Sequence, residues 1–125
     1  MSNVKNLIAA YINCFEENDV LTIGIGDDTH EPKNFIIIGR FDEDELPIND
    51  CIGFQSESTE YELTDSIRSV QLTDGKLVIV LNDDAAKKIG ISEYRVVIPA
   101  AKDFKSLEKY LREMFDGCDV PLQLP

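Results

Sequence analysis

Most residues that could do chemistry in this chain are carboxylates, and they are concentrated in its first half. Residues 1–65 hold fifteen acids and three bases, whereas residues 66–125 hold nine of each. The segment from Phe41 to Asp65 alone carries nine acids and no base. Carboxylates at this density can form a metal or catalytic site, a solvated loop, or a surface for a positively charged partner.

Metal binding is the first of these alternatives. The loop from Asp27 to Glu31 offers oxygen and nitrogen ligands, yet a solvated connection next to Pro32 has the same composition. The run Asp42–Glu45 does not fit a calcium loop, because Leu46 stands at the fifth position and Pro47 replaces the required glycine. We therefore predict no metal and no cofactor.

Catalysis also lacks a recognisable pattern. Cys14, Cys51 and Cys118 are odd in number and irregularly spaced, which fits neither a disulfide framework nor a paired metal site. Nothing around them matches a signature for a nucleophile served by His30, the only histidine. The stretch TIGIGDD is not a dinucleotide-binding turn, because Thr29 stands where the third glycine belongs. We predict no catalytic residues and no enzymatic activity.

The charge balance restricts the class of partner. The net charge of −12 argues against binding to nucleic acid or anionic membranes, whose phosphates need lysine and arginine. The apolar runs Phe35–Gly39 and Leu77–Leu81 are far shorter than the ~20 residues of a membrane-spanning helix. The N-terminus has no secretory pattern. These features predict a cytoplasmic protein that meets a basic partner or is simply highly soluble.

The elements that must position these acids are clearest in the second half. Asp74-Gly75 separates two strand-like runs and predicts an antiparallel hairpin. Asn82 is a good N-cap for a short helix over Asp83–Ile89, which Gly90 can end.

A strand and a second helix follow the short helix. YRVVI places Tyr94, Val96 and Ile98 on one face of a strand. Beyond it, apolar residues at three- and four-residue steps predict a helix capped by Asp103 and ended by Gly117.

The first half is less regular. Val20–Ile25 and Phe35–Phe41 are typical of strands. The stretch NVKNLIAAYINCF is ambiguous, because its apolar residues follow a helical period while its β-branched and aromatic residues suit a buried strand.

The order of these segments resembles a known family. Five segments carry the resemblance: ENDVLTIGIGDDTHEPKNFIIIGR, an acidic segment with Tyr61 and Glu62, SIRSVQLTDGKLVIVLNDDAAKKIG, YRVVI and FKSLEKYLREMF. In this order they resemble the bacterial immunity protein 10 family. The resemblance spans about Leu7 to Phe115. Members look like small antidotes encoded beside polymorphic toxins, which they bind and block. The resemblance implies an α+β fold, a strand over Leu7–Cys14 and no catalytic residues, but it does not identify the toxin.

We therefore predict a single α+β domain over residues 1–125. It should contain a largely antiparallel sheet of about six to seven strands, a short helix, and a C-terminal amphipathic helix packed on the sheet. The expected function is that of a monomeric antidote that occludes a basic toxin site, such as that of a nuclease. The expected partner-binding residues are Asp42, Glu43, Asp44, Glu45, Glu57, Glu60, Tyr61 and Glu62. The alternative is a small acidic secretion chaperone, which would dimerise and hold extended segments through apolar grooves.

Overall fold

The computed structural model describes residues 3–125 and has the α+β class that the sequence predicts. These residues form ten strands in two five-stranded sheets, together with two helices. The prediction of about six to seven strands in one sheet is therefore wrong in number and in arrangement. Two of the additional strands are only two residues long, and a third arises because the N-terminal strand divides.

Sheet A combines the beginning and the end of the chain. Its spatial order is β1 (Val4–Ile8), β9 (Glu93–Val97), β8 (Lys76–Leu81), β7 (Ile67–Thr73) and β10 (Leu122–Gln123). The two outer strands pair in parallel with their neighbours, and the three central strands are antiparallel. The expectation of a largely antiparallel arrangement therefore holds at the centre of this sheet and not at its edges.

Sheet B is an antiparallel meander in chain order. Its strands are β2 (Tyr11–Glu17), β3 (Val20–Gly26), β4 (Phe35–Arg40), β5 (Ile52–Ser56) and β6 (Leu63–Thr64). A 3-10 helix over Ile48–Cys51 lies between β4 and β5. Because each strand pairs with the next one in sequence, short loops suffice to connect them.

The N-terminal stretch is extended, as the resemblance implied, but it belongs to both sheets. Ala9 donates its N–H to Val97 of sheet A, whereas Ala10 donates to Gly26 of sheet B. The chain thus changes sheets between these two alanines. The change also moves the core-facing side chains from odd positions, such as Leu7, to even positions, such as Ile12. This switch of parity gives the apolar residues the helix-like spacing seen in the sequence.

The hairpin and the short helix are confirmed. Gly75 takes a φ of +69° in the turn between β7 and β8. Helix α1 spans Asp83–Ile89, and the side chain of Asn82 accepts a hydrogen bond of 3.0 Å from the N–H of Ala85. Gly90 ends the helix with a φ of +85°, where a side chain would be strained.

Helix α2 spans Ala101–Met114, so it begins before the predicted cap at Asp103. The capping residue is Ala100, whose side chain has no oxygen to accept a hydrogen bond. Leu107, Leu111 and Met114 are fully buried, and the helix packs on β2 and β3. Neither helix among residues 3–125 is both long enough and apolar enough to cross a membrane.

The two sheets and α2 share one hydrophobic core. Inward-facing aliphatic residues of both sheets are almost completely buried, and the rings of Phe54 in sheet B and Tyr94 in sheet A lie 5.1 Å apart. Side chains on the opposite faces of both sheets are exposed or half-buried, as Phe15 and Val97 show. Each sheet therefore presents an outer face to its surroundings.

Candidate functional site

Asp42, the first acid of the predicted binding tract, is used inside the molecule. Its carboxylate accepts hydrogen bonds from Arg40 at 2.7 Å from Nε and 3.3 Å from Nη2. Arg40 also donates from Nη1 to the backbone carbonyls of Glu113, Met114 and Asp116, at 3.2, 3.1 and 2.7 Å. The hydrogen bond to Asp42 raises the pKa of Arg40. Asp42 thus orients the guanidinium that binds the C-terminal end of α2, and its charge is locally compensated.

Glu57 is also engaged. Its Oε2 accepts a hydrogen bond of 3.0 Å from the N–H of Phe35, and its Oε1 lies 3.8 Å from Nζ of Lys5. Oε1 is buried and has no hydrogen-bond partner in the described part of the chain. Lys5 belongs to sheet A and Glu57 follows the last strand residue of β5, so this carboxylate connects the two sheets at one end.

The remaining acids of the predicted tract are exposed and lie in two loops. Glu43, Asp44 and Glu45 lie between β4 and the 3-10 helix. Glu60 and Glu62 lie between β5 and β6, on either side of Tyr61, whose exposed fraction is 75%. Exposure leaves these side chains available to solvent or to a partner.

The strand register separates the starting points of the two loops. Arg40 is paired with Ile52, while Ile36 is paired with Ser56. The loop of Glu43–Glu45 therefore follows one end of β4, and the loop of Glu57–Glu62 follows the other end of β5, roughly 13 Å away at about 3.3 Å per residue. The second loop then turns back, because β6 is paired with Gly53 and Phe54. Glu57 is thus distant from Glu43–Glu45, whereas the side chain of Glu62 returns to Gly53, next to the end that the first loop leaves.

Two glycines in sheet B were not among the residues that the sequence singled out. Gly39 and Gly53 are direct neighbours on β4 and β5, on the outer face. A methyl group on Gly53 would overlap with the side chain of Glu62, which lies against this part of the sheet. The available signal was a glycine inside each of the apolar runs FIIIG and CIGF, since glycine within a strand often marks a close approach.

In the loop from Asp27 to Glu31, considered above as a metal site, the aspartate carboxylates accept hydrogen bonds from backbone N–H groups of the same connection. Asp28 accepts hydrogen bonds from the N–H groups of His30 and Glu31, at 2.8 and 3.2 Å. Asp27 accepts from the backbone of Lys33 and from both the side chain and backbone of Asn34.

These hydrogen bonds change the acidity of both carboxyl groups. Those from Asn34 lower the pKa of Asp27, and those from His30 and Glu31 lower that of Asp28. Within residues 3–125, no three such side chains are placed together to hold a metal.

Cys14 is directed towards α2. Burial of its thiol, opposed in part by a hydrogen bond with Ser106, raises the pKa of Cys14 to about 11. The nucleophilic form of a cysteine is its thiolate, and this thiol is protonated near neutral pH.

A charged surface depression of about 540 Å³ lies near the C-terminal end of α2. Its lining combines two arginines, Arg40 and Arg112, with carboxylates that include Glu16, Asp19 and Asp42. Arg40 is already engaged by the end of α2, so this cleft is part of the helix attachment.

Comparison with protein-family models found no match, and comparison with the curated proteins likewise found none for this chain.

Proposed function

We propose that this chain is a non-enzymatic antidote that binds a cognate bacterial toxin and neutralises it by covering a basic site on that toxin. The proposal is supported by the resemblance in the order of segments given above. It is also supported by the negative charge of residues 1–65, because carboxylates attract a cationic partner over long distances.

The exposure of five acids carries the proposal. Glu43, Asp44, Glu45, Glu60 and Glu62 are all exposed, and none of them takes part in an ion pair within residues 3–125. Their charges are thus available to a partner. A nuclease domain, which must present positive charge to phosphates, is a suitable target for such a surface.

The test begins with capture of the protein from its native cells and identification of bound proteins by mass spectrometry. The small domain of any captured candidate is then expressed alone in a test strain. We expect that domain to stop growth and co-expression of this chain to restore it. If growth is not restored by co-expression, or if no captured domain is toxic, the proposed function is wrong.

Binding kinetics provide an independent measurement. Association of the two purified proteins should slow steeply as salt rises, because screening acts over about 8 Å at physiological ionic strength. Dissociation should change less. The solution mass of the free protein distinguishes the antidote from the alternative function. A monomer is expected for the antidote, whereas an obligate dimer would favour a secretion chaperone.

A further inference from the structure

The outer face of sheet B contains a shallow opening where β4 ends and β5 begins. Gly39 and Gly53 are paired across β4 and β5, so neither position places a side chain above the sheet. On the same row, Thr22 of β3 is paired with Gly39, and Thr64 of β6 with Gly53. The floor at Gly39 and Gly53, which we term the glycine notch, is therefore peptide backbone.

The side chain of Glu62 occupies this notch. It lies against Gly53 so closely that a methyl group there would overlap with it, and its Oε2 would lie 3.8 Å from a methyl group on Gly39. The residue remains exposed, and none of the ion pairs within residues 3–125 includes it. Glu62 also lines a depression beside α1 that includes Lys88, but the two side chains do not form an ion pair. A carboxylate is thus held on the sheet without a cation.

The outward-facing strand positions around the notch carry no positive charge. The outward-facing strand positions of β2–β6 include no lysine or arginine, whereas they do include Phe15, which is 38% exposed, and the half-buried Phe35 and Ile37. On the outer face of sheet A, by contrast, Arg95 forms an ion pair with Glu93. Sheet B therefore combines an uncompensated carboxylate with a face of apolar and polar side chains that includes no base.

We propose that the outer face of sheet B around Glu62 is a docking surface for a protein segment that presents an arginine or lysine among apolar residues. The assignment deepens the proposed function and rests on it for the nature of the partner. Charge complementarity selects the occupant, because the carboxylate needs a cation and the surrounding face needs apolar contacts. Tyr61, adjacent in the chain and largely exposed, supplies an aromatic ring of the kind that favours a bound cation.

Other acids of the tract are less suited to this role. Asp42 and Glu57 already have partners inside the molecule. Glu43, Asp44 and Glu45 project into solvent from the loop that follows β4, where they can steer a partner. Glu62 instead lies against the backbone of β4 and β5, where its carboxylate is flanked by the outer face of the sheet.

Two substitutions separate the position of the carboxylate from its charge. Gly53→Ala displaces Glu62 from the notch and leaves the net charge unchanged, whereas Glu62→Gln removes the charge and keeps the shape. Gly24→Ala is the matched control for the first, because its added methyl group would meet only the carbonyl of Asn13 at 3.6 Å. Asp74→Asn is the control for the second, since it removes one exposed charge in sheet A and keeps a favourable turn residue.

The probe is a blocked peptide of alternating leucine and arginine, titrated into the isotope-labelled full chain at physiological salt and followed by NMR. We expect the largest shifts at the amides of Gly39, Gly53, Glu62 and Thr64. Glu62→Gln and Gly53→Ala should weaken binding about tenfold, and the two controls less than about twofold. Thermal melting of each variant verifies that the fold is intact.

Several outcomes would overturn the assignment. Shifts spread evenly over all exposed acids, or equal losses for Glu62→Gln and Asp74→Asn, would indicate unspecific attraction. Equal binding of a peptide with glutamine in place of arginine would indicate a plain apolar surface. If the amide shifts of the same residues change with protein concentration in the absence of peptide, the surface binds a second copy of the chain instead. Because no toxin is present, these results are distinct from a failure of growth rescue, which would overturn the proposed function.

Discussion

The hydroxyl groups of Tyr94 and Ser56 lie 2.9 Å apart and form a hydrogen bond between the two sheets. Tyr94 belongs to β9 in sheet A and is completely buried, while Ser56 is the last residue of β5 in sheet B. The ring of Tyr94 also packs on Phe54 at a tilt of 57°. A hydrogen bond thus lies inside an otherwise apolar interface. Because the two hydroxyl groups satisfy each other, the hydrogen bond favours one relative position of the two sheets.

Replacing Tyr94 with phenylalanine should reduce the free energy of unfolding by about 1 kcal/mol, the usual net value of one hydrogen bond. The loss is limited because Ser56 Oγ still accepts the N–H of Ser58 at 3.2 Å. Urea unfolding measures the change. Tyr61→Phe is the control, since that side chain is exposed, and an equal effect of both substitutions would contradict the role of the hydrogen bond.

The same side chain should make stability depend on alkaline pH. Burial raises the pKa of Tyr94 above its ordinary value of 10.0. The folded protein therefore holds this proton more tightly than the unfolded chain. The stabilisation is complete below pH 10 and is lost as pH rises through the folded pKa. Tyr94→Phe should flatten this part of the stability profile, which denaturant titrations at several pH values would show.

Arg40→Ala should reduce the free energy of unfolding by about 1–3 kcal/mol, because three carbonyl groups at the end of α2 lose a charged donor. Arg40→Lys should lie between the parent and the alanine variant, since an ammonium group cannot reproduce the forked geometry. Chemical denaturation measures both. Arg112→Ala is the control, because its side chain is 61% exposed and lies 3.8 Å from Glu108. A loss below about 0.5 kcal/mol for Arg40→Ala would show that the helix end does not depend on it.

The loop between β3 and β4 should loosen in acid. The folded pKa of Asp27 is below its ordinary value of 3.8, so its contribution to stability is present above that pH. It is lost as pH falls through the folded pKa. NMR titration of the Asp27 carboxyl carbon, together with the amide shifts of Lys33 and Asn34, measures this change. In Asp27→Asn the acid-dependent shift of these amides should disappear, and its persistence would point to another group.

Leu111→Ala should reduce the free energy of unfolding by about 2–5 kcal/mol, because the side chain is fully buried between α2 and the sheets. Thermal or urea unfolding provides the measurement. Lys109→Ala, on the exposed side of the same helix, should change stability by less than about 0.5 kcal/mol. Similar losses for the two variants would mean that the helix faces the core differently.

Local sequence signals predicted the second half of the fold well. Asp74-Gly75, Asn82 and Gly90 each have backbone preferences that act within a few residues, and the structure confirms all three. The facing of α2 was equally predictable, because Leu107 and Leu111 follow the helical period. Helix α2 begins earlier than predicted because Ala100 caps it without a side-chain hydrogen bond, which leaves no signal in the sequence.

Long-range features were not predictable by the same reasoning. The change of sheet at Ala9 and Ala10 depends on partners near Val97 and Gly26, far away in the chain. The acids of residues 42–62 read as one tract, yet β5 carries Glu57 away from Glu43–Glu45 and the pairing with β6 brings Glu62 back. The contact between Glu62 and Gly53 has no local sequence signature, since it depends on the register of β5 and β6.

The pairing of β1 with β9 has a consequence for how the protein is made. All strands of sheet B lie within residues 11–64 and pair with their neighbours in sequence, so their contacts close short loops. Val4–Ile8 leaves the ribosome before all of these strands, but its partner Glu93–Val97 is synthesised much later. The nascent chain can therefore complete sheet B while its first strand is still unpaired. A chain that ends before Glu93 would leave β1 without its strand partner and would also lack α2, which covers β2 and β3.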